Sequence, residues 1–181
     1  MSKCLYTESE VTQSGAQVLI TAMTLNGEID KHSKKFQHAF PEAWEVMRQM
    51  RVGDHAEHTD ENPENLTVNL GDVIWSHQGG NRQIGFCFVK ESEKGDINKK
   101  AVALCIKSAV NKAKSLGIGY VGMDLMGCKD GKEWADIVDI VENSLGECKG
   151  FVCIPTNEEL VNVLENLPGP NSFQIFKSDN E

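Results

Sequence analysis

A short polar loop between two apolar segments carries the residue types best suited to binding or chemistry. The apolar run "YVGMDLM" (120–126) is followed by "GCKDG" (127–131), and a helical pattern begins at Trp134. In parallel α/β sheets, ligands bind at the carboxyl ends of strands, where loops enter helices. Two interpretations of this loop stay open at this point: a ligand-binding loop or a simple connection.

Four ionisable residues near the middle of the chain form a cluster with metal-ligand spacing. His55 and His58 have Asp54 and Glu57 beside them. A zinc site needs three or four converging ligands, and this polar, acidic stretch (52–65) has no second ligand pair. We therefore interpret the stretch as a solvated loop, and we predict neither a metal nor a cofactor.

Basic residues and a glycine precede the first predicted helix. Lys31, Lys34 and Lys35 could neighbour a phosphate, or they could form a solvated basic turn. Gly27, within "TLNGEID", is a single glycine, and by itself it is a weak signal for a phosphate-binding loop. Whether these residues can bind a ligand depends on the strands and helices that position them.

Apolar periodicity predicts those elements. The predicted strands are 16–25, 66–77, 82–91, 120–126 and 150–155. The predicted helices are 34–40, 41–50, 98–116, 134–145 and 157–167. The sequence "QGGN" (78–81) is typical of a hairpin. Pro41 predicts a helix break, Gly117 and Gly146 predict helix ends, and Asn157 predicts an N-cap. Strand–helix alternation in the second half predicts an α/β fold with a largely parallel sheet.

Composition limits the function classes. A chain of 181 residues is expected to form one domain, 1–181, with a core of about 5–167 and a C-terminal tail of 168–181. The net charge of −9 argues against general nucleic-acid binding. Six cysteines without tight spacings indicate reduced, mostly buried thiols and a cytoplasmic or nuclear location. No signal pattern or membrane-spanning run is evident, so we expect no membrane contact, and we expect a monomer.

Several segments, taken together and in order, resemble the macro domain family. They are "YTESEV", "VLITAMTLNG", "KKFQHAFPEAWEVM", the hairpin into "GFCFVK", and "GMDLMGCKDGKEWADIVDIVE". The sequence is most similar to the branch that contains terminal ADP-ribose protein glycohydrolase, where a strand of the form M-P-x-I-G-C-G is followed by an acidic residue and a tryptophan. The matching positions are Met123, Gly127, Cys128, Asp130 and Trp134. The resemblance covers roughly residues 5 to 155 and implies a three-layer α/β/α sandwich with a mixed, mostly parallel sheet.

The resemblance also implies a ligand, ADP-ribose or an ADP-ribosylated protein. In that family the Gly-Cys loop wraps the distal ribose and the diphosphate, so small residues allow the backbone to approach the ligand and its amides can donate to phosphate oxygens. The cleft would form between 22–30 and 123–131. The implied ligand-binding residues are Glu10, Ala22, Gly27, Glu28, Ile29, Leu125, Met126, Gly127, Cys128 and Lys129.

Two catalytic residues follow from the same resemblance. In the glycohydrolase branch, a lysine at a strand end attacks the distal ribose, and an aspartate in the Gly-Cys loop assists. Counting back from Met123 without a gap places Lys90 on the lysine position, and Asp130 lies in the corresponding loop. The implied activity is hydrolysis of ADP-ribosyl esters on acidic side chains.

The sequence departs from the family pattern at three places. Glu10 follows Ser9 where the family has an aspartate that reads the adenine amino group. Asp124 replaces a proline, and Glu28 and Asp30 bring negative charge near the expected diphosphate, which predicts weaker binding. Three functions therefore remain open: an ADP-ribosyl hydrolase, a non-catalytic ADP-ribose reader, and a diverged macro-fold interaction module.

Overall fold

The protein folds around a single six-stranded sheet. A computed structural model describes residues 2–52, 68–79 and 81–168. The strand order is β1-β6-β5-β2-β4-β3. The bounds of the strands are β1 Cys4–Glu8, β2 Val18–Thr24, β3 Val73–Gln78, β4 Arg82–Lys90, β5 Tyr120–Met123 and β6 Lys149–Ile154. All neighbouring strands pair in parallel except β3, which runs antiparallel to β4 at one edge.

Helices cover both faces of this sheet. Their bounds are α1 Lys31–Ala39, α2 Pro41–Val52, α3 Lys99–Ser115, α4 Gly131–Leu145 and α5 Asn157–Asn166, and a short 3₁₀ helix covers Val11–Gln13. One hydrophobic cluster joins the sheet to α3, α4 and α5. A second cluster joins the opposite face to α1 and α2. The predicted three-layer α/β/α sandwich with a mixed, mostly parallel sheet is thereby confirmed.

Strand β4 shows how the sequence divides its side chains between the two layers. Phe86 and Phe88 belong to the cluster under α1 and α2. Cys87 and Val89 belong to the cluster under α3 and α4. Successive side chains of a strand point to opposite faces, so a continuous apolar run is needed where both faces are covered. Lys90 ends this run at the carboxyl end of the strand.

Several predicted boundaries are confirmed. The helix break falls at Pro41, where α2 begins immediately after the Phe40 C-cap of α1. The hairpin connects β3 to β4, and Gly146 ends α4 with a φ of 61°. All six cysteines are free and buried, as expected for reduced thiols. The predicted loop around His55 and His58 lies outside the described residues, as does the tail from residue 169 onwards.

Other boundaries were predicted wrongly. The fifth strand ends at Met123 rather than residue 126, because the polypeptide turns at the polar Asp124. Strand β3 begins at Val73 rather than residue 66, because 69–72 form a turn closed by the Asp72 amide. The N-cap of α5 is Thr156 rather than Asn157, since the Thr156 hydroxyl accepts the Glu159 amide.

The amino-terminal half holds two further differences. Helix α1 already begins at Lys31, so the three lysines expected to precede it lie inside it. Strand β1, a five-residue edge strand, and the 3₁₀ helix were not predicted by periodicity. In the described part of the chain, no helix has both the length and the apolar character to cross a membrane. Within the same residues, no group of three or more potential ligand side chains could hold a metal ion.

Candidate functional site

A pocket lies at the carboxyl ends of strands β2 and β4, where the loop that follows β5 returns. Its empty volume is about 220 Å³, part of which is open to solvent. The lining residues are Ala22, Met23, Thr24, Glu28, Asp30, Ser33, Lys90, Glu93 and Gly127. We call it the Lys90 pocket. It occupies the edge of the sheet where parallel α/β folds bind ligands.

Lys90 contributes a buried ammonium group to this pocket. The residue is 4% exposed, and its Nζ donates a 3.0 Å hydrogen bond to the Glu93 carbonyl oxygen. Among the described residues, no carboxylate oxygen lies within ion-pair distance of Nζ. A buried charge is costly unless it is paired, so an ammonium with a single neutral acceptor among the described residues favours an anionic partner.

Gly127 brings the loop after β5 against Lys90. Its φ is 89°, a conformation that glycine adopts without strain. A Cβ at this position would lie 3.3 Å from the Ala22 Cβ and 3.5 Å from the Lys90 Cε. The close approach therefore requires a glycine, and it places the ends of three strands next to one another. Two expected ligand residues, Ala22 and Gly127, are thus brought together with Lys90.

The loop after β2 closes one side of the pocket through Glu28. The Glu28 carboxylate accepts a 3.0 Å hydrogen bond from Asn26 Nδ2 and a 2.9 Å hydrogen bond from the Glu93 amide. These two hydrogen bonds hold the pKa of Glu28 below its usual value. Gly27, with a φ of 91°, forms the turn that makes this geometry possible. The expected phosphate loop thus contacts the segment that follows β4.

Asp30 forms part of the pocket wall and also begins α1. Its carboxylate accepts the Ser33 amide at 2.8 Å, which makes it the N-cap of the helix. The Ser33 hydroxyl donates a 2.7 Å hydrogen bond to the Ala22 carbonyl oxygen and so ties the helix to β2. Ile29, the residue before Asp30, is half-buried and packs into the cluster beneath α1.

Asp124 and Thr21 form a buried polar pair that sequence reasoning missed as a functional element. Thr21 Oγ1 donates a 2.7 Å hydrogen bond to Asp124 Oδ2, and the Met126 amide donates a 2.9 Å hydrogen bond to Asp124 Oδ1. Burial raises the pKa of Asp124. The signal was present in the sequence, since each residue is a polar interruption in an apolar run.

Asp130 lies outside the Lys90 pocket. Its carboxylate accepts the Glu133 amide at 3.0 Å and forms the N-cap of α4, while the Glu133 carboxylate accepts the Lys129 amide at 2.9 Å. It lines a second depression, of about 550 Å³ including open solvent, together with Leu125, Lys129, Gly131, Glu158, Glu159, Asn162 and Val163. Asp130 and Lys90 thus line separate depressions on either side of the same loop.

Gly131 anchors the far end of that loop. Its amide donates a 2.7 Å hydrogen bond to Asn162 Oδ1 of α5. A Cβ at Gly131 would lie 2.4 Å from the Asn162 carbonyl oxygen, so the two helices approach through glycine. The remaining expected ligand residues of the loop are buried: Leu125, Met126 and Cys128. Burial, followed by the charge of Glu133, raises the pKa of the Cys128 thiol.

Glu10 stands apart from both depressions. Its two carboxylate oxygens accept Lys35 Nζ of α1 at 3.0 and 2.9 Å. Lys31, one helical turn earlier, forms an ion pair with Glu159 of α5 at 3.5 Å. Two of the three lysines that could have neighboured a phosphate, Lys31 and Lys35, are therefore engaged with carboxylates on other elements.

Comparison with known proteins places this geometry in a structural class. No protein-family model matches the sequence, and no curated protein matches it. The macrodomain of Thermus aquaticus DarG is 14% identical, with a TM-score of 0.60 over 84% of this chain and 98% of that one. A macrodomain protein from Streptomyces coelicolor is 15% identical, with a TM-score of 0.62 over 83% and 97%. Thermosipho africanus DarTG, solved in complex with ADP-ribose, is 14% identical, with a TM-score of 0.62 over 87% and 43%.

These similarities define the fold. The chain has the macrodomain fold: it is an α/β/α sandwich with a pocket at the carboxyl edge of its sheet. The resemblance noted from the sequence is confirmed at this level, including the structural likeness to DarG macrodomains.

Proposed function

We propose that the protein binds ADP-ribose, free or attached to a protein, in the Lys90 pocket. The observation that carries this proposal is the buried Lys90 ammonium, whose acceptor within the described residues is the Glu93 carbonyl alone. Solved macrodomains of the same fold contain ADP-ribose, among them DarTG of Thermosipho africanus and a variant macrodomain of Oceanobacillus iheyensis.

The loop after β5 supports the same ligand. The Gly127 backbone lines the pocket beside Lys90, where an amide can approach a phosphate or ribose oxygen closely. The pocket is narrow and partly open to solvent. It would hold one end of the ligand, and the remainder would extend over the adjoining loops.

Calorimetric titration with ADP-ribose tests the binding proposal. Wild type should bind, and Lys90→Ala should weaken binding by about tenfold or more, since a hydrogen bond to a charged group is lost. Lys107→Ala removes an exposed lysine of α3 and serves as the matched control. Absence of binding by wild type would leave the interaction-module interpretation and remove the other two.

A second candidate function is hydrolysis of an ADP-ribosyl ester, and the position of Lys90 in the pocket favours it. The neutral amine of Lys90 would attack C1 of the distal ribose, forming a C–N bond as the C–O bond to the protein carboxylate breaks. Asp130 would accept or deliver the proton, and water would then release the ribose and restore the lysine. Because Asp130 caps α4 and lines the neighbouring depression, this role requires release of its hydrogen bond with Glu133 and movement of its side chain towards the Lys90 pocket.

Release of ADP-ribose from glutamate-modified protein distinguishes hydrolase from reader. Lys90→Ala should abolish release, and Asp130→Ala should slow it by roughly 10²–10⁴-fold while binding persists. A wild type that binds without release is a reader. Two variants that release as fast as wild type would contradict both assigned roles. The same proposal includes action as a monomer in the cytoplasm or nucleus, without general nucleic-acid or membrane binding.

A further inference from the structure

Asp124 is a carboxyl group buried at the junction of β2, β5 and the loop that follows β5. It is 2% exposed, and each of its oxygens has a separate partner. Oδ2 accepts the Thr21 hydroxyl of the neighbouring strand, and Oδ1 accepts the Met126 amide of the loop. Burial of a carboxyl group is unfavourable unless its oxygens are hydrogen-bonded. Here the Thr21 hydrogen bond joins the loop to the sheet, and the Met126 hydrogen bond fixes the first residues of the loop.

The loop segment held by Asp124 has an unusual backbone. The Cys128 amide closes a turn on the Leu125 carbonyl oxygen at 3.0 Å. Within this turn Met126 has a φ of 52° and Gly127 a φ of 89°. The left-handed region is unfavourable for a residue with a Cβ, and among the described residues Met126 is the single non-glycine residue with a positive φ. An interaction from outside the turn must therefore stabilise it.

The hydrogen bond from the Met126 amide to Asp124 supplies that interaction, and its effect reaches the pocket one residue later. In this backbone conformation Gly127 packs between Ala22 and Lys90. We propose that Asp124 is a positioning residue of the ligand site: its carboxyl group, held by Thr21, fixes the left-handed turn that places the Gly127 backbone beside Lys90. The proposal rests on the proposed function, because the placed backbone contacts the ligand.

Two substitutions of Asp124 distinguish a role in positioning the loop from a role in core packing alone. Asp124→Asn keeps an oxygen that can accept the Met126 amide and an amide that can donate to Thr21. Asp124→Ala removes both interactions. If Asp124→Ala does not fold, Asp124→Leu replaces it, since leucine fills the space without an acceptor. Val141→Ala, in the buried face of α4, destabilises the core away from the loop and is the matched control.

Calorimetric titration with ADP-ribose gives the first test. Asp124→Ala should weaken binding about tenfold, because the ligand must then order the loop. Asp124→Asn should bind within about threefold of wild type, and Val141→Ala should bind like wild type although its melting temperature is lower. Unchanged affinity of Asp124→Ala, or an equal loss in Asp124→Asn, overturns the proposal.

Amide hydrogen exchange gives a test that does not need the ligand. The Met126 amide should exchange at least about tenfold faster in Asp124→Ala than in wild type and Asp124→Asn, because its acceptor is lost. Equal exchange in the three proteins overturns the positioning role. If wild type fails to bind ADP-ribose, the proposed function fails, whereas a faster Met126 exchange still supports Asp124 as the residue that fixes the loop.

Discussion

Glu28 and Glu93 meet across the entrance of the Lys90 pocket: the Glu28 carboxylate accepts a 2.9 Å hydrogen bond from the Glu93 amide. The carbonyl oxygen of the same Glu93 accepts the Lys90 ammonium at 3.0 Å. The segment 91–95 is therefore attached to the pocket from two sides. A ligand that needs the ammonium must compete with this segment, and the Glu28 charge stands beside the approach.

Removal of the two carboxylates near the entrance should strengthen ligand binding. The double variant Glu28→Gly, Asp30→Gly should bind ADP-ribose roughly three- to tenfold more tightly at low salt, because like charge no longer opposes the diphosphate. The advantage should shrink at high salt, where charges are screened. Glycine is a tolerable N-cap, so loss of the Asp30 cap costs only a few tenths of a kcal/mol.

Calorimetry at low and at high salt measures the effect. Glu147→Gly removes an exposed carboxylate beyond α4 and controls for net charge. Equal affinities of the double variant and wild type would show that Glu28 and Asp30 do not face the ligand.

Replacement of Lys90 by methionine should stabilise the protein while it removes the ligand site. Methionine fills a similar volume and has no buried charge, so the free energy of unfolding should rise by about 1 kcal/mol. Urea denaturation measures this change, and Lys107→Met, at an exposed position of α3, is the control. A lower free energy of unfolding for Lys90→Met would mean that the ammonium has better partners than the Glu93 carbonyl.

Substitution of Gly127 by alanine should lower the free energy of unfolding more than the same substitution of Gly146. Both glycines have a positive φ, 89° and 61°, and alanine is strained at each. At Gly146 no atom lies within 4 Å of the added Cβ, whereas at Gly127 the Cβ would meet Ala22 at 3.3 Å. We expect Gly127→Ala to lower the free energy of unfolding by about 2 kcal/mol and Gly146→Ala by about 1 kcal/mol.

Thermal or urea denaturation checks that difference, and titration with ADP-ribose checks its consequence. Only Gly127→Ala should weaken binding. Equal destabilisation by the two variants would show that the contact with Ala22 relaxes without cost.

The buried Asp124 should make stability depend on pH. Burial raises its pKa, His32 opposes this shift by attraction, and Asp30 adds to it by repulsion. The folded protein thus holds a proton at Asp124 more tightly than the unfolded chain does. This contribution to stability is complete below the unfolded pKa, near 3.8, and is lost as the pH rises through the folded pKa.

Asp124→Asn carries no charge at any pH, so its stability relative to wild type should improve as the pH rises from about 4 to about 7. Each unit of pKa shift corresponds to about 1.4 kcal/mol. Urea denaturation of both proteins over this range measures the difference. A difference that does not change with pH would show that folding does not raise the pKa of Asp124.

The sequence predicts the fold well because its apolar runs are long and alternate between strand and helix. The resemblance to macro domains assigns Lys90 to the site by its ungapped spacing from Met123, and the structure has this lysine at the carboxyl end of β4. Asp130 shows where prediction from the sequence ends, since an aspartate before a helix can either contact a ligand or cap the helix. Glu133, three residues later, is the capping signal that the structure uses.

The pairing of Asp124 with Thr21 could not be predicted from periodicity. It depends on the register between β2 and β5, in which Ile20 lies beside Met123. This register brings Thr21, the next residue of β2, to Asp124, the first residue after β5. Periodicity assigns side chains to faces of a sheet, and it carries no information about the offset between strands that are distant in the sequence.

The contact of Gly131 with α5 links the last helix to the ligand loop. The loop is fastened at its start by Asp124 and at its end by the Asn162 side chain. Helix α5 thus supports the loop from behind, although it does not line the Lys90 pocket. A shortened chain that ends after β6 would keep all six strands and Lys90. Its loop would lose the hydrogen bond between the Gly131 amide and the Asn162 side chain. A shortened version of this protein that keeps the loop in place should therefore include Asn162 and the helix that positions it.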